Sequence, residues 1–337
     1  MKPTREYSEL KKILGPQLRS PKQKNNFFES DCEILQLDSK NYFTTSIDSV
    51  GEEISIGLYK EIETWAWLTV MSSVSDLAAS GSTPLGLTVS AQWAFDTDKE
   101  TQKKFYHGVH KACHKANVPL IGGDSGYAKD HVFTSSIFGH STTPPLQRIP
   151  IRDGDCLILL HQKNIGIGPA LAFQYLMKPD QNILPEKLFR PCPEWKLVKK
   201  LRPWCRASID TSDGLATSLY NLATLNDLGF EIQWQESINH PQALKFCSLN
   251  KLSPILLWLG DLGDLQTLLV VPEKNLRRFF GKNMTLLGRF QKKKSFELNY
   301  KNQKLDLPVK EITSCPRDAE DYARLWRDLN KQLLHKS

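Results

Sequence analysis

The feature that most limits what this chain can become is a break, Thr142-Thr-Pro-Pro145. Two adjacent prolines end regular structure on either side and stiffen the crossing, because neither can donate a backbone N–H. The chain has 337 residues, about what two domains require. Strand-sized and helix-sized patterns mix on both sides of the break without strict βαβ alternation. The expected fold class is therefore α+β, in two domains joined near Thr142–Arg152. The expected divisions are a basic arm over residues 1–25 (with Tyr7, Leu10 and Leu14 on an amphipathic piece), a domain over 26–145, a second over 146–315, and a tail over 316–337.

Within the first half, Glu33–Leu37 and Tyr42–Ile47 read as strands about the Asp38-Ser-Lys-Asn41 turn. Glu63–Ser80 reads as a long helix with Trp65, Leu68, Ser72, Val74 and Leu77 near one side, stopped by Gly81 and Pro84. Leu85–Ala91 reads as a strand, and Glu100–Asn117 as an amphipathic helix with Phe105, Val109, Ala112 and Ala116 at helical spacing. Val118–Ile121 and Val132–Phe138 read as strands flanking a Gly-Gly-Asp turn. In the second half Cys156–Leu160, Ala207–Asp210, Phe230–Trp234 and Thr267–Val271 read as strands, with a last one near Thr285–Arg289. Ile167–Met177 and Gly214–Leu228 read as helices, the first preceded by no dinucleotide site, since Leu171 breaks the pattern begun by Gly166-Ile-Gly168.

Hydrophobic residues at 40% and charged residues at 24% exclude disorder as the default. No apolar run approaches the ~18 residues of a membrane span. The opening MKPTREYSELKKILG lacks the apolar core of a signal peptide, so a cytoplasmic protein is expected. Seven scattered cysteines without a C-x-x-C exclude a zinc ribbon and a disulfide framework. The net charge of +7 favours anionic ligands without choosing among them. The run Gln291-Lys-Lys-Lys-Ser295 lacks interleaved aromatics and reads as a solvated turn, so no nucleic-acid partner is expected. His107, His110 and His114 share a helix face with four lysines and likewise read as solvated.

What remains is a set of aspartates at element ends: Asp48, Asp76, Asp124, Asp210 and Asp213. Each alone suits a cap or a turn, and Asp213 suits a helix N-cap. Together, on different loops, they suit a polyphosphate carrying Mg²⁺, which takes oxygen ligands and keeps several waters. Gly122-Gly123 beside Asp124 would let backbone N–H groups approach a phosphate. No Walker A loop is present.

Ser46-Ile-Asp-Ser49, Ser75-Asp-Leu-Ala-Ala-Ser-Gly-Ser-Thr-Pro84, Ile121-Gly-Gly-Asp-Ser125 and Ile209-Asp-Thr-Ser-Asp-Gly214 resemble, in order and spacing, the motifs of the thiamine-monophosphate kinase family. That family lies within the aminoimidazole ribonucleotide synthetase-like superfamily. The likeness runs from about Glu29 to Arg289. It implies an N-terminal domain whose strands build a dimer-spanning β-barrel, with ATP and Mg²⁺ held between subunits and a C-terminal α/β sandwich closing over them. It further implies Asp31, Asp48, Asp76, Asp124, Asp210 and Asp213 as metal ligands, and Ser46, Tyr106, Gly123, Asp124, Arg148 and Ser212 around the nucleotide. Asp124, Asp213 and Arg148 are the implied catalytic residues, and Ser55, Gly263 and Asp264 fall on the substrate side.

Two departures stand out. Ser30 occupies the place of the family's first acidic-loop aspartate, and Gly263 and Gln266 stand where two glutamates are expected, leaving Asp264 between them. The family's aromatic C-terminal signature is absent from Arg317–Ser337. The resemblance thus implies ATP-dependent phosphorylation of thiamine monophosphate, by a homodimer that binds no membrane. A kinase of the same fold for another small phosphorylated metabolite, or a nucleotide-binding homologue without turnover, remains open. A carboxylate restored at position 263 is expected to strengthen substrate binding.

Overall fold

The computed structural model describes residues 11–15, 17–162, 165–177, 183–312 and 318–335. Tyr7 and Leu10 of the basic arm, Pro179 and Arg317 lie outside them. The first sheet has the order β1-β2-β5-β3-β4, from β1 (Glu33–Gln36), β2 (Tyr42–Ser49), β3 (Thr83–Ala94), β4 (Leu120–Ala128) and β5 (Val132–Ser141). Its pairings are antiparallel except β3 with β4. In β5, alternate residues are buried, the period-2 signature of a sheet with one face on a core. That core is aromatic at its centre: Phe133 stacks on Phe105 at 4.1 Å and meets Trp93 at 5.0 Å.

A short helix α1 (Gly51–Ser55) follows β2, and α2 (Ile62–Ser80) and α3 (Lys99–Ala116) cover the core. The expectation of one apolar side for α2 is corrected. Leu68, Thr69, Val70 and Met71, four consecutive residues that point to all sides of the helix, are all buried, as in a helix packed on every side. One side binds the first sheet, where Ser73 and Ser135 hydroxyls meet at 2.7 Å. The other binds the second, where the Ser208 hydroxyl donates to the Ala79 carbonyl at 2.6 Å.

That second sheet has the order β12-β11-β8-β10-β6-β9-β7. Its strands are β6 (Cys156–Leu160), β7 (Ala207–Asp210), β8 (Gly229–Gln233), β9 (Thr267–Val271), β10 (Met284–Gln291), β11 (Phe296–Tyr300) and β12 (Gln303–Asp306). Strands β6 and β9 are buried at every residue, which is why they read as unbroken apolar runs. Around them lie α4 (Ile167–Met177), α5 (Trp195–Leu201), α6 (Leu215–Leu225), α7 (Pro241–Leu249) and α8 (Ala319–His335).

Three further expectations change. The strand near Thr285–Arg289 is not the last, because the β11–β12 hairpin follows it. Gly122-Gly123-Asp124 is no turn but the middle of β4, where a Cβ on Gly123 would lie 2.0 Å from the Val89 carbonyl oxygen of β3. Gly214, not Asp213, caps α6. The first sheet is open within one chain, with β1 and β4 at its edges, so no barrel closes here. None of the helices among the described residues is long and apolar enough to cross a membrane.

Candidate functional site

Three element ends meet where α2 touches both sheets. Strand β2 ends on Asp48-Ser49, the last turns of α2 carry Asp76, and β7 ends on Asp210. With Asp31, from the loop before β1, these form the site. Carboxylate oxygens of Asp31, Asp76 and Asp210 all lie within 4.8 Å of one another. Arg148 donates to Asp31 at 2.8 Å and to the Phe28 carbonyl at 3.3 Å, which buries its guanidinium beside the cluster. Asp31 thus stands in the cluster, while the Ser30 hydroxyl accepts the Cys32 N–H at 3.3 Å.

Serine hydroxyls order the rest. Ser46 donates to Asp76, Ser75 to Asp210, and Ser212 to Asp210 at 3.0 Å. Burial, then the charges of Asp48, Asp210 and Asp31, lifts the Asp76 carboxyl well above its ordinary range. Burial and then Asp31 push Asp210 up to about 8. Burial also raises Asp48, and the Asp31 charge adds to it. One half-buried arginine thus faces three clustered carboxylates.

A sign follows for stability. Asp210 keeps its proton in the folded state up to about 8, whereas its ordinary value is 3.8. The folded chain therefore holds more protons than the unfolded one between those values, and stability falls as pH rises. The contribution is complete below the ordinary value and lost as pH passes upward through about 8. In chelator, the thermal midpoint should fall between about pH 4 and about pH 8, and Asp210→Asn should flatten the slope. A rising midpoint would contradict this.

A cavity of ≈ 180 Å³ is lined among others by Asp48, Ser212, Asp213, Glu53, Tyr59 and Phe189. Asp261, Leu262, Gly263 and Leu265 form its other wall. A larger cavity of ≈ 440 Å³, lined by Phe296, Leu307 and Leu329, contains none of the clustered carboxylates.

The implied residues divide accordingly. Asp31, Asp48, Asp76, Asp210, Arg148, Ser46 and Ser212 come together, and Asp213 joins them across the cavity. Asp124 and Gly123 do not. Register runs Asp48–Ser135, Ser135–Val89, Val89–Gly123, so three strand spacings, ~14 Å at ~4.8 Å each, separate them from Asp48. Tyr106 packs edge-on against Trp93 at 6.1 Å. Ser55 is exposed and donates its hydroxyl to the Glu52 carbonyl at 2.8 Å within its own helix.

On the substrate side, Asp264 is turned away from the cavity. Its carboxylate accepts the N–H groups of Gly166 and Gly168 at 2.6 and 2.8 Å, capping the start of α4. Gly263 lines the cavity with backbone alone. A Cβ there would lie 1.6 Å from the Thr211 carbonyl oxygen. Glu53, Tyr59 and Phe189 line the cavity without having stood out in the sequence. Asp261, which the altered Asp261–Gln266 stretch offers as a substitute for the missing glutamate, lines it as well. His107, His110 and His114 are exposed, as their lysine-rich face suggested.

Residues 29–141 match the family "AIR synthase related protein, N-terminal domain". Over this stretch the chain is similar to the N-terminal domain of AIR synthase-related proteins. Among its curated relatives is the thiamine-monophosphate kinase of Aquifex aeolicus, 25% identical over 233 residues, spanning 68% of this chain and 75% of that protein. Another is the thiamine-monophosphate kinase of Methanocaldococcus jannaschii, 23% identical over 266 residues, spanning 73% and 80%. The solved structure "AaThiL complexed with AMPPCP and TMP" superposes with a TM-score of 0.73 at 20% identity, covering 89% of this chain and 93% of that one. The hydrogenase maturation protein HypE in complex with ATP superposes at 0.64, with 17% identity and coverage of 81% and 86%. These likenesses establish the mixed α+β fold of the family.

Proposed function

We propose that this chain transfers the γ-phosphoryl group of ATP directly to thiamine monophosphate, giving thiamine diphosphate. The observation that carries the reading is the cavity itself. Asp48 and Asp213, which adjoin the Asp31, Asp76 and Asp210 cluster in charge and sequence, line it together with Tyr59, Phe189, Glu53 and Asp261, and no lysine or arginine is among the described residues that line it. Such a cavity suits a molecule that carries an anionic phosphate beside a flat cationic ring, as thiamine monophosphate does with its thiazolium. The names of the curated relatives support the same substrate.

The donor set fits Mg²⁺, since every candidate ligand is a carboxylate oxygen and the negative charge exceeds what Arg148 offsets. Asp31, Asp48, Asp76 and Asp210 would hold it, with Asp213 across the cavity. Bound Mg²⁺ would neutralise phosphate charge, the main requirement of phosphoryl transfer. Arg148, fixed by Asp31, adds a second positive group at the same end. Ser46 and Ser212 hold Asp76 and Asp210 in place, so the phosphate end is ordered before substrates arrive. The acceptor phosphate oxygen is ionised near neutral pH, and no general base is required of the chain.

Asp124, Gly123 and Tyr106 enter this reading through a second copy. Ile47, Leu85 and Ile121 of the first sheet are more than half exposed, and edge strand β4 is open along its length. Unpaired, apolar edges of this kind are normally covered. Pairing two copies would complete the barrel and bring Asp124 toward the other copy's phosphates. Residues 26–145 then act as the nucleotide-binding dimerisation unit, 146–315 as the closing unit and 316–337 as its helical tail, in a cytoplasmic enzyme.

ADP release should depend on thiamine monophosphate and on Mg²⁺, and the protein should elute as a dimer at micromolar concentration. ADP release that ignores thiamine monophosphate would overturn the substrate. A monodisperse monomer would overturn the barrel.

A further inference from the structure

We infer that Glu53 is the specificity-determining residue of this pocket, contacting the cationic end of the substrate that Gly263 cannot contact with a side chain. The inference rests on the thiamine monophosphate reading above. Helix α1 follows the end of β2 and places Glu53 in the lining of the cavity that Asp261 and Gly263 also line. The two acidic walls are not equivalent. Asp261 already accepts the Tyr322 hydroxyl of α8 at 3.0 Å. Glu53 Oε2, in contrast, is buried and meets no hydrogen-bond donor from any other described residue. A buried carboxylate oxygen without a donor is costly unless something that enters the site satisfies it.

The surroundings say what would enter. Tyr59 and Phe189 also line the cavity, stacked at 5.9 Å with their planes 24° apart. Leu68, Leu262 and Leu265 add apolar side chains to a lining that is otherwise largely polar. A flat cation packs on such a surface, and a carboxylate at its edge supplies the counter-charge. Burial, and next the charge of Glu53, raises the Tyr59 hydroxyl above its ordinary range, so the two groups share one electrostatic environment. Glu53 itself is lifted to about 7, first by burial and then by Glu52, Asp48 and Asp213, as expected of an acid whose counter-ion has yet to bind.

Glu53→Gln keeps the size and removes the charge. It should raise the KM for thiamine monophosphate about ten- to a hundredfold, the worth of one hydrogen bond to a charged group. kcat, the KM for ATP and the Mg²⁺ dependence should stay within about twofold. A neutral analogue, with the thiazolium ring replaced by an uncharged isostere, should bind wild type and Glu53→Gln equally. Glu53→Asp should recover part of the loss. If the variant weakens the neutral analogue as much, or shifts the Mg²⁺ dependence instead, Glu53 is a packing or metal residue and the inference fails. An unchanged thiamine monophosphate KM also defeats it, while the functional reading survives. If wild type binds Mg-ATP but no thiamine monophosphate, the functional reading fails first and takes the inference with it.

Discussion

Asp76→Asn should abolish phosphoryl transfer while making the metal-free protein more stable. Asparagine keeps the shape and the oxygen that accepts the Ser46 hydroxyl, so the end of α2 remains ordered. What it removes is a charge that burial and the neighbouring carboxylates of Asp48, Asp210 and Asp31 already oppose. In chelator, therefore, the thermal midpoint should rise by a few degrees. With Mg²⁺ the order reverses. Metal stabilises only a folded state that offers charged ligands, and charge neutralisation at phosphate is worth several kcal/mol, so turnover should fall about a thousandfold or more. Calorimetry in chelator and in Mg²⁺, beside the ADP-release assay, separates the two effects. A variant that is less stable in chelator, or that retains near wild-type turnover, would show that the cluster is structural.

Much of this site was readable because its aspartates sit where strands and helices end. Apolar patterning locates such ends well, so Asp48, Asp76 and Asp210 fell into place with β2, α2 and β7. Asp124 was misplaced for a physical reason. A glycine pair before an aspartate signals a turn as readily as a close backbone approach, and β3 supplies the close approach. The β11–β12 hairpin escaped because its turn uses Lys301 and Asn302 at positive φ, with no glycine to mark it. Glu53 escaped because nothing local tells which of the two glutamates of a five-residue helix faces a cavity, and only the fold brings Glu53 to the cavity that Asp261 lines. Asp264 looked like a surviving substrate ligand, yet its partners are backbone groups nearly a hundred residues earlier in the chain. Local sequence cannot show which of two acids faces a cavity.

The position where sequence and structure disagree most is Gly263, and it gives the second large effect. Restoring a carboxylate there seemed a route to tighter substrate binding, but the backbone forbids it. The Gly263 N–H donates to the Ser212 carbonyl at 2.8 Å, which ties this segment to the turn between β7 and α6. Any Cβ would lie 1.6 Å from the Thr211 oxygen and 2.7 Å from the Gly214 nitrogen, both backbone atoms that no rotamer change can move aside. The turn would have to open, and it carries Ser212 and Asp213. Gly263→Ala should therefore cost about 3 kcal/mol or more, lowering the midpoint by roughly 6–12 °C, and Gly263→Glu should cost at least as much. Both should weaken Mg-ATP binding together with thiamine monophosphate binding, because the displaced turn serves the phosphate end as well. A Gly263→Glu protein that melts with wild type and binds thiamine monophosphate more tightly would reverse this conclusion. It would also return the counter-charge from Glu53 to the opposite wall of the cavity.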